Sequence, residues 1–435
     1  MKIHFIGIGG IGISGLAKHL LAEGHEVSGS DVYITAITKE LQGLGVRVDV
    51  PHNAFIIKDQ DLVIHSAVIK PDNPEIIRAN ELGIKVMCRS EALTFILKDK
   101  NVYAVAGAHG KSTTTAILSS IMSGSTIIGA HSKALNSNTR YDGTTNTMLF
   151  EADESDESFL NTNPYCSIVT NAEPEHMEFY NYNLERFYGA YKKFLDLGQK
   201  RVICAEDKFL SEYKGDAIRL YPTRDIKDIE YKLIDNQPFT SFSLLNFGRF
   251  DVWGFGQHIA VDAALAILAS VDVMNIEDIR DNIRNYKGIK KRFDIISNLS
   301  QLVVIDDYGH HPTEIRATMK SVQTYKKLRE LNEIIAIWQP HKFSRTIDNL
   351  SEFKTCFDGV GMLVILPVWR AGEEAVDIDF EKEFSHFNLI LADKITRKDD
   401  KVILLRDDAT IASLSSGLVV GFGAGDITYQ IRGER

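Results

Sequence analysis

Cysteine is scarce in this chain, at four among 435 residues. Cys88, Cys166, Cys204 and Cys356 are widely scattered, and no pair has metal-site spacing. That argues against a disulfide framework, so the thiols read as buried groups in a reducing compartment. No apolar run reaches the length of a membrane-spanning helix. The opening residues carry one lysine before a glycine-rich turn, unlike a secretory signal. The chain is therefore expected in the cytoplasm. Basic residues are outnumbered, 49 Lys and Arg against 59 Asp and Glu, for a net charge of −10. That balance argues against a nucleic-acid polymer as partner. Small anions remain possible ligands through local basic clusters. Repeats and low-complexity tracts are absent. What is left is an ordinary globular composition, 44% hydrophobic and 25% charged. Its length suits about two or three domains.

The first ninety or so residues alternate strand and helix patterns: Lys2–Ile6, Gly12–Ala22, Glu26–Ser30, Leu62–His65, Glu75–Leu82 and Lys85–Cys88. This is a doubly wound α/β pattern. Ser90–Leu97 reads as a connecting helix. The middle section carries strands at Met148–Ala152, Ser167–Thr170 and Arg201–Cys204, and a helix at Ala260–Ala269. A third section opens near Gly288, with strands at Leu302–Asp306, Glu333–Ile337, Met362–Leu366 and Gly417–Phe422.

The run from Val102 to Thr115 is the most informative stretch. An apolar strand ends at Gly107; Gly110-Lys111-Ser112 and threonines follow, then an apolar helix start. Backbone N–H groups in such a loop, with a helix N-terminus behind it, favour an anion. Lys111 adds charge and Ser112 a hydroxyl suited to a nucleotide-bound Mg²⁺, so the triphosphate of ATP is expected. Valine at position 105 makes the loop shorter than the usual Gly-x-x-x-x-Gly-Lys-Ser/Thr pattern. At the N-terminus, Gly7, Gly9 and Gly12 fit Gly-x-Gly-x-x-Gly after a strand, and Asp31 ends the next strand. This fingerprint marks a diphosphate; the segment alone favours NAD, and a UDP-sugar could use the same loop. Two separate nucleotide loops suggest ATP plus a nucleotide-carrying substrate.

Further strand ends gather polar groups, where ligands bind in α/β domains. Glu151 to Asp156 supplies carboxylates, with Glu151 the foremost Mg²⁺ candidate; Asn171, Glu173, Glu175 and His176 follow another strand. Asp306-Asp307-Tyr308-Gly309-His310-His311 ends a third, and His341-Lys342-Phe343-Ser344-Arg345 supplies cations after a fourth. The histidine pair lacks partners with zinc spacing. Arg345 and Lys342 suit a carboxylate or phosphate.

Together these motifs resemble the Mur ligases, the ATP-dependent enzymes of peptidoglycan precursor synthesis. The markers are GIGGIGISGLA at Gly7–Ala17, Ser66–Ile76, Gly107–Thr115, EADESDESF at Glu151–Phe159, Val169–Met177, Arg292–Asp294, DDYGHHPTEI at Asp306–Ile315, Gln339–Thr346 and GAGDI at Gly423–Ile427. The resemblance covers nearly the whole chain. It implies an α/β protein of three domains: a Rossmann-like N-terminal domain (1–90) for the UDP-sugar, a P-loop ATPase-type central domain (91–289) and a Rossmann-like C-terminal ligase domain (290–435). A hinge is expected at Gly288–Phe293. The resemblance further implies that L-alanine is joined to the carboxylate of UDP-N-acetylmuramate through an acyl phosphate, with ATP as co-substrate and two Mg²⁺.

By motif match, the catalytic set is Lys111, His176, Glu151, Arg345 and His310, with Tyr308 on the substrate side. ATP would meet Gly107, Ala108, His109, Gly110, Lys111, Ser112, Thr113, Asn171, Arg292 and Asp307. The UDP-sugar would meet Gly9, Gly10, Ile11, Gly12, Asp31 and Ser66. Ser112 and Glu151 would hold one Mg²⁺ and His176 the second. Membrane insertion is not expected, and the chain would act as a monomer or homodimer. Departures from the family pattern are Ala108, Ser112, Glu175, Lys342 and Trp369, and His258-Ile259-Ala260-Val261-Asp262 replaces His-Asn-x-x-Asn, so both base-holding amides are lost. Three rivals follow: a recycling ligase that joins a tripeptide to the same nucleotide sugar, a nicotinamide-dependent oxidoreductase using the Gly7 loop, and a non-catalytic nucleotide-binding regulator.

Overall fold

The computed structural model describes residues 1–434. The described chain packs into two compact units: one holds 1–229, 241–252 and 257–287, the other 230–240, 253–256 and the residues from 288 onward.

The first unit contains two parallel-stranded sheets. In the N-terminal one the order is Arg47–Asp49, Glu26–Ser30, Lys2–Ile6, Leu62–His65, Lys85–Cys88, all parallel. Central strands buried on both faces need continuous apolar runs, which Ile3, Phe5 and Ile6 and Leu62, Val63 and Ile64 supply. The second sheet runs Ile218–Leu220, Lys200–Cys204, Cys166–Val169, Asn101–Ala106, Thr147–Glu151, Ser125–Ser132, Ser137–Arg140, with the last strand antiparallel. Asn101–Ala106 lies centrally, between the strands that end in Val169 and Glu151. Parallel neighbours end on the same side, so the polar groups after Ala106, Glu151 and Val169 converge.

The second unit is built on a sheet ordered Asp294–Asn298, Leu302–Asp307, Gly417–Phe422, Ile334–Trp338, Met362–Ile365, Leu389–Leu391, parallel except for its first strand. An antiparallel three-stranded sheet, Lys394–Lys398, Lys401–Arg406 and Ala409–Leu414, packs into the same apolar core. Gly288 requires glycine: its φ is +91°, and a Cβ there would come 2.4 Å from the Trp253 ring.

The helix and strand expectations match the structure to within a few residues. The helix expected at Gly12–Ala22 begins at Ile11, and that expected at Ala260–Ala269 extends over Gln257–Ser270. Additional elements are the edge strands Arg47–Asp49 and Ser137–Arg140, the sheet over Ile226–Trp253 and the hairpins over Lys394–Leu414. The two edge strands, Arg47–Asp49 and Ser137–Arg140, bury few apolar side chains, so their pattern is weak. Among the described residues no helix is long and apolar enough to cross a membrane.

Candidate functional site

The turn after Asn101–Ala106 admits only particular residues. Gly107 has φ +138°, and a Cβ there would stand 2.1 Å from Thr170 Oγ1 and 2.9 Å from the Asn171 carbonyl. Gly110 has φ +84° and faces the Asp262 carboxylate, 2.4 Å from where a Cβ would lie. Neighbouring side chains hold His109 between these glycines. Its N–H donates to Asn171 Oδ1 (3.1 Å), while its carbonyl accepts from Asn171 Nδ2 (2.9 Å) and Thr170 Oγ1 (2.5 Å). The helix Lys111–Ile121 starts directly after. Its open N–H groups make an anion site. Ala108 is buried, whereas Ser112 and Thr113 are half-buried in the first helical turn.

The Lys111 ammonium donates to the Gly107 carbonyl (2.6 Å) and to Glu154 Oε1 (2.7 Å). Two clusters of potential ligand groups flank it. In the first, Ser112 Oγ donates to Glu151 Oε1 (3.0 Å), and Glu151 Oε2 accepts the Gly129 N–H (2.7 Å). In the second, ligand atoms of Glu154, Glu175 and His176 lie within 4.8 Å of one another. Glu154 is 1% exposed, and its Oε2 is buried with no hydrogen-bond partner. An orphaned carboxylate oxygen beside two further ligands fits a divalent cation. Burial pushes the Glu154 carboxyl up from the ordinary range, against the pull of Lys111.

The N-terminal turn is shaped by the end of its neighbouring strand. The Gly7 and Ile8 N–H groups donate to the Ser30 carbonyl (2.8 and 3.0 Å), and the Gly9 N–H to Asp31 Oδ2 (2.7 Å). Asp31 Oδ1 accepts from the Val32 N–H (2.7 Å), so this carboxylate supports the turn from behind. Ser66 lies against Gly7 from the next strand end. Gly10 precedes the helix Ile11–Ala22, whose first turn holds Ile11 and Gly12 with open N–H groups. Ser30 is itself fixed: its hydroxyl meets Glu75 Oε2 (2.6 Å), which also meets His4 Nε2 (3.1 Å) in a buried network.

In the second unit, Tyr308, His310, His341 and Arg345 come together. The His310 ring packs edge-on to Tyr308 (5.5 Å) and His341 (5.9 Å). Arg345 Nη1 meets His341 Nδ1 at 3.0 Å. Burial, then the Arg345 charge, holds the His341 ring below the ordinary histidine range. Lys342 turns the chain at φ +70°, and its N–H donates to the Trp369 carbonyl (2.9 Å). Asp307 is buried, its oxygens taken by the Phe293 N–H (2.7 Å), the Gly309 N–H (2.8 Å) and Thr318 Oγ1 (3.2 Å). Burial raises it to about 6. Arg292 is exposed, and its charge favours the ionised forms of Asp307 and Glu314.

Three contributors were not singled out by the sequence reading: Glu154 as the Lys111 partner, Thr170 as the clamp on His109, and Arg89, which donates to Asp153 and Ser158. Glu154 sits in an acidic run that reads as a solvated turn. The Tyr180 hydroxyl donates to the Glu154 carbonyl, a contact distant in sequence.

A glycine turn and helix start carrying Lys111, with carboxylates and a histidine at the neighbouring strand ends, and a second glycine turn on a parallel sheet of its own, fit a nucleotide-dependent enzyme of α/β construction. Residues 2–101 match the Mur ligase family, catalytic domain, and residues 291–384 the Mur ligase, glutamate ligase domain. The UDP-N-acetylmuramate–L-alanine ligase of Campylobacter curvus is 54% identical over 432 residues, covering 99% of each chain. That of Helicobacter pylori (strain P12) is 54% identical over 436 residues, covering 100% of this chain and 96% of its own. The crystal structure of the UDP-N-acetylmuramate-alanine ligase from Thermotoga maritima superimposes with a TM-score of 0.81 at 26% identity, covering 99% of this chain and 97% of that one. A murein peptide ligase from Psychrobacter arcticus shares the fold, with a TM-score of 0.61 at 20% identity over 98% of this chain and 96% of its own. The chain belongs to the Mur ligase family.

Proposed function

We propose that the chain uses ATP to join L-alanine to the carboxylate of UDP-N-acetylmuramate, a step of peptidoglycan precursor synthesis. One observation carries this reading: 54% identity along 99% of the chain to an enzyme of that name. Lys111 and Ser112 at the loop, with Glu151 and His176 at and after the ends of neighbouring strands, supply the groups that the reaction needs. The recycling ligases that take a peptide share the fold at 20% identity, a weaker tie.

The chemistry follows in two steps. The muramate carboxylate attacks the γ-phosphorus of ATP; the bond to the β-bridging oxygen breaks, leaving an acyl phosphate and ADP. The alanine amine then attacks the acyl carbon, loses a proton, and inorganic phosphate departs. Phosphoryl transfer needs alignment and charge neutralisation more than covalent help. Lys111 serves the β- and γ-phosphates, and the Gly107–Thr113 backbone cradles them. Asn171 keeps His109 in place. Ser112 and Glu151 would hold one Mg²⁺, and His176, with Glu154 and Glu175, a second. When bound there, magnesium would supply charge neutralisation for the phosphoryl transfer. Tyr308, His310 and Arg345 serve the substrate side, with His341 orienting Arg345. Arg292 and Asp307 serve ATP, Asp307 by shaping the loop beside it. Gly9, Gly10, Ile11, Gly12 and Ser66 take the UDP-sugar, and Asp31 holds their turn.

The domains proposed are 1–90, 91–289 and 290–435, each with a largely parallel sheet of its own. Dependence on ATP suits the cytoplasm, and the chain acts as a monomer or homodimer.

Phosphate release tests this reading. ATP, Mg²⁺ and UDP-N-acetylmuramate are supplied with L-alanine, glycine, L-serine or the tripeptide in separate reactions. Release that needs both the nucleotide sugar and L-alanine is expected. Release with the tripeptide alone would make this a recycling ligase, and an absorbance change with a nicotinamide cofactor would revive the oxidoreductase reading.

A further inference from the structure

Arg89 opens the helix Arg89–Ile96, and its guanidinium stands between two loops. On one side, Nη2 donates to Asp153 Oδ2 (3.0 Å), Ser158 Oγ (2.9 Å) and Asp156 Oδ2 (3.3 Å). On the other, Nη1 lies 3.0 Å from where a Cβ on Gly12 would stand. Nε and Nη1 donate to no acceptor among the described residues. The side chain is 18% exposed, so water only partly solvates these donors. Burial alone would raise the Asp153 carboxyl, but Arg89 and Ser155 outweigh it and hold it below the ordinary carboxylate range.

Gly12 lies in the first turn of its helix, where the dipole is positive and a cation is disfavoured. Asp153 and Asp156 offset part of that cost through Nη2. The Nη1 edge still faces the end of the helix at which open N–H groups favour an anion. A planar guanidinium with unused donors there matches phosphate oxygens. Glycine at position 12 leaves the room: any side chain would press on the guanidinium.

We propose that Arg89 is a substrate-binding residue that grips the diphosphate of the nucleotide sugar and makes the site prefer a diphosphate over a monophosphate. The proposal rests on reading the Gly9–Gly12 turn as the nucleotide-sugar site. The same arginine ties that site to the acidic loop after Glu151, because Nη2 keeps Asp153 and Ser158 in place.

Titration calorimetry on the full chain tests it with UDP-N-acetylmuramate, UDP and UMP as separate probes, against Arg89→Ala and Arg89→Lys. One charged hydrogen-bonding contact is worth about 10- to 100-fold in affinity. Arg89→Ala is expected to weaken UDP-N-acetylmuramate and UDP by that factor and UMP by much less, so that the preference for UDP over UMP collapses. Arg89→Lys keeps the charge without the fork and should fall between the two. It also keeps the test open if Arg89→Ala fails to fold. Equal loss for UDP and UMP would mean that Arg89 only props the loop, and unchanged binding that it touches nothing; either overturns the proposal. Failure of the unaltered chain to bind UDP-N-acetylmuramate would overturn both the proposal and the reading of the turn.

Discussion

Gly107 shows how little freedom the loop after Asn101–Ala106 has. Its φ of +138° disfavours any L side chain, and Thr170 Oγ1 fills the space a methyl would need. Gly107→Ala is expected to cost about 2 kcal/mol or more, since a strained backbone and a clash add. Urea unfolding measures the loss, and ATP-dependent phosphate release should fall with it. His341 is the second informative residue. Its proton affinity is lower in the folded chain than in the unfolded one. The stabilising contribution is therefore present above the ordinary histidine range and is lost as pH falls through it. Unfolding midpoints taken from pH 8 down to pH 5 should decline, and His341→Gln should flatten the slope. A slope unchanged by that substitution would place the titration elsewhere.

Between elements, buried polar side chains fix what apolar packing leaves free to slide. Asn138, on the edge strand Ser137–Arg140, is 1% exposed. Its Nδ2 donates to the Ile11 carbonyl (2.8 Å), and its Oδ1 accepts from Lys18 Nζ (2.9 Å). The strand thereby holds the helix that begins at the Gly7–Gly10 turn. Gly15 on that helix lets it approach, because a Cβ would come 2.9 Å from Ile127. Asn138→Ala leaves the buried Lys18 ammonium with Glu40 and Ser137. A cost of about 2 kcal/mol is expected in denaturant unfolding, with weaker binding of UDP-N-acetylmuramate and little change for ATP. These contacts were illegible in the sequence. Ser137-Asn138-Thr139-Arg140 carries no apolar alternation, and nothing local announces a partner 127 residues away. The central strands, by contrast, were legible from their apolar runs, and the glycine loops from their spacing.

At the scale of the molecule, ligand binding and stability are linked. A ligand that binds only the folded chain stabilises it by about 2.7 kcal/mol at a hundred times its dissociation constant. Saturating MgATP should raise the melting temperature of the unaltered chain. Lys111→Ala should lose that rise along with ATP-dependent ligation, and should also melt lower without nucleotide, because the buried Glu154 carboxylate is left without its cation. An undiminished rise would move the triphosphate away from the Gly107–Thr113 loop.

The sequence by itself determined the α/β class, the order of the strands along the chain, both glycine loops and the family. Each of these is written in short-range patterns: apolar runs that must be buried, glycines that must turn, and charged groups at strand ends. Tertiary structure alone decided that Glu154 is buried against Lys111, that Asp31 supports Gly9 rather than standing open, that Asp307 is enclosed, and that Arg89 reaches Gly12. The physical reason is that burial and ionic pairing depend on which distant segment covers a group, and in this chain those covers come from other strands and helices.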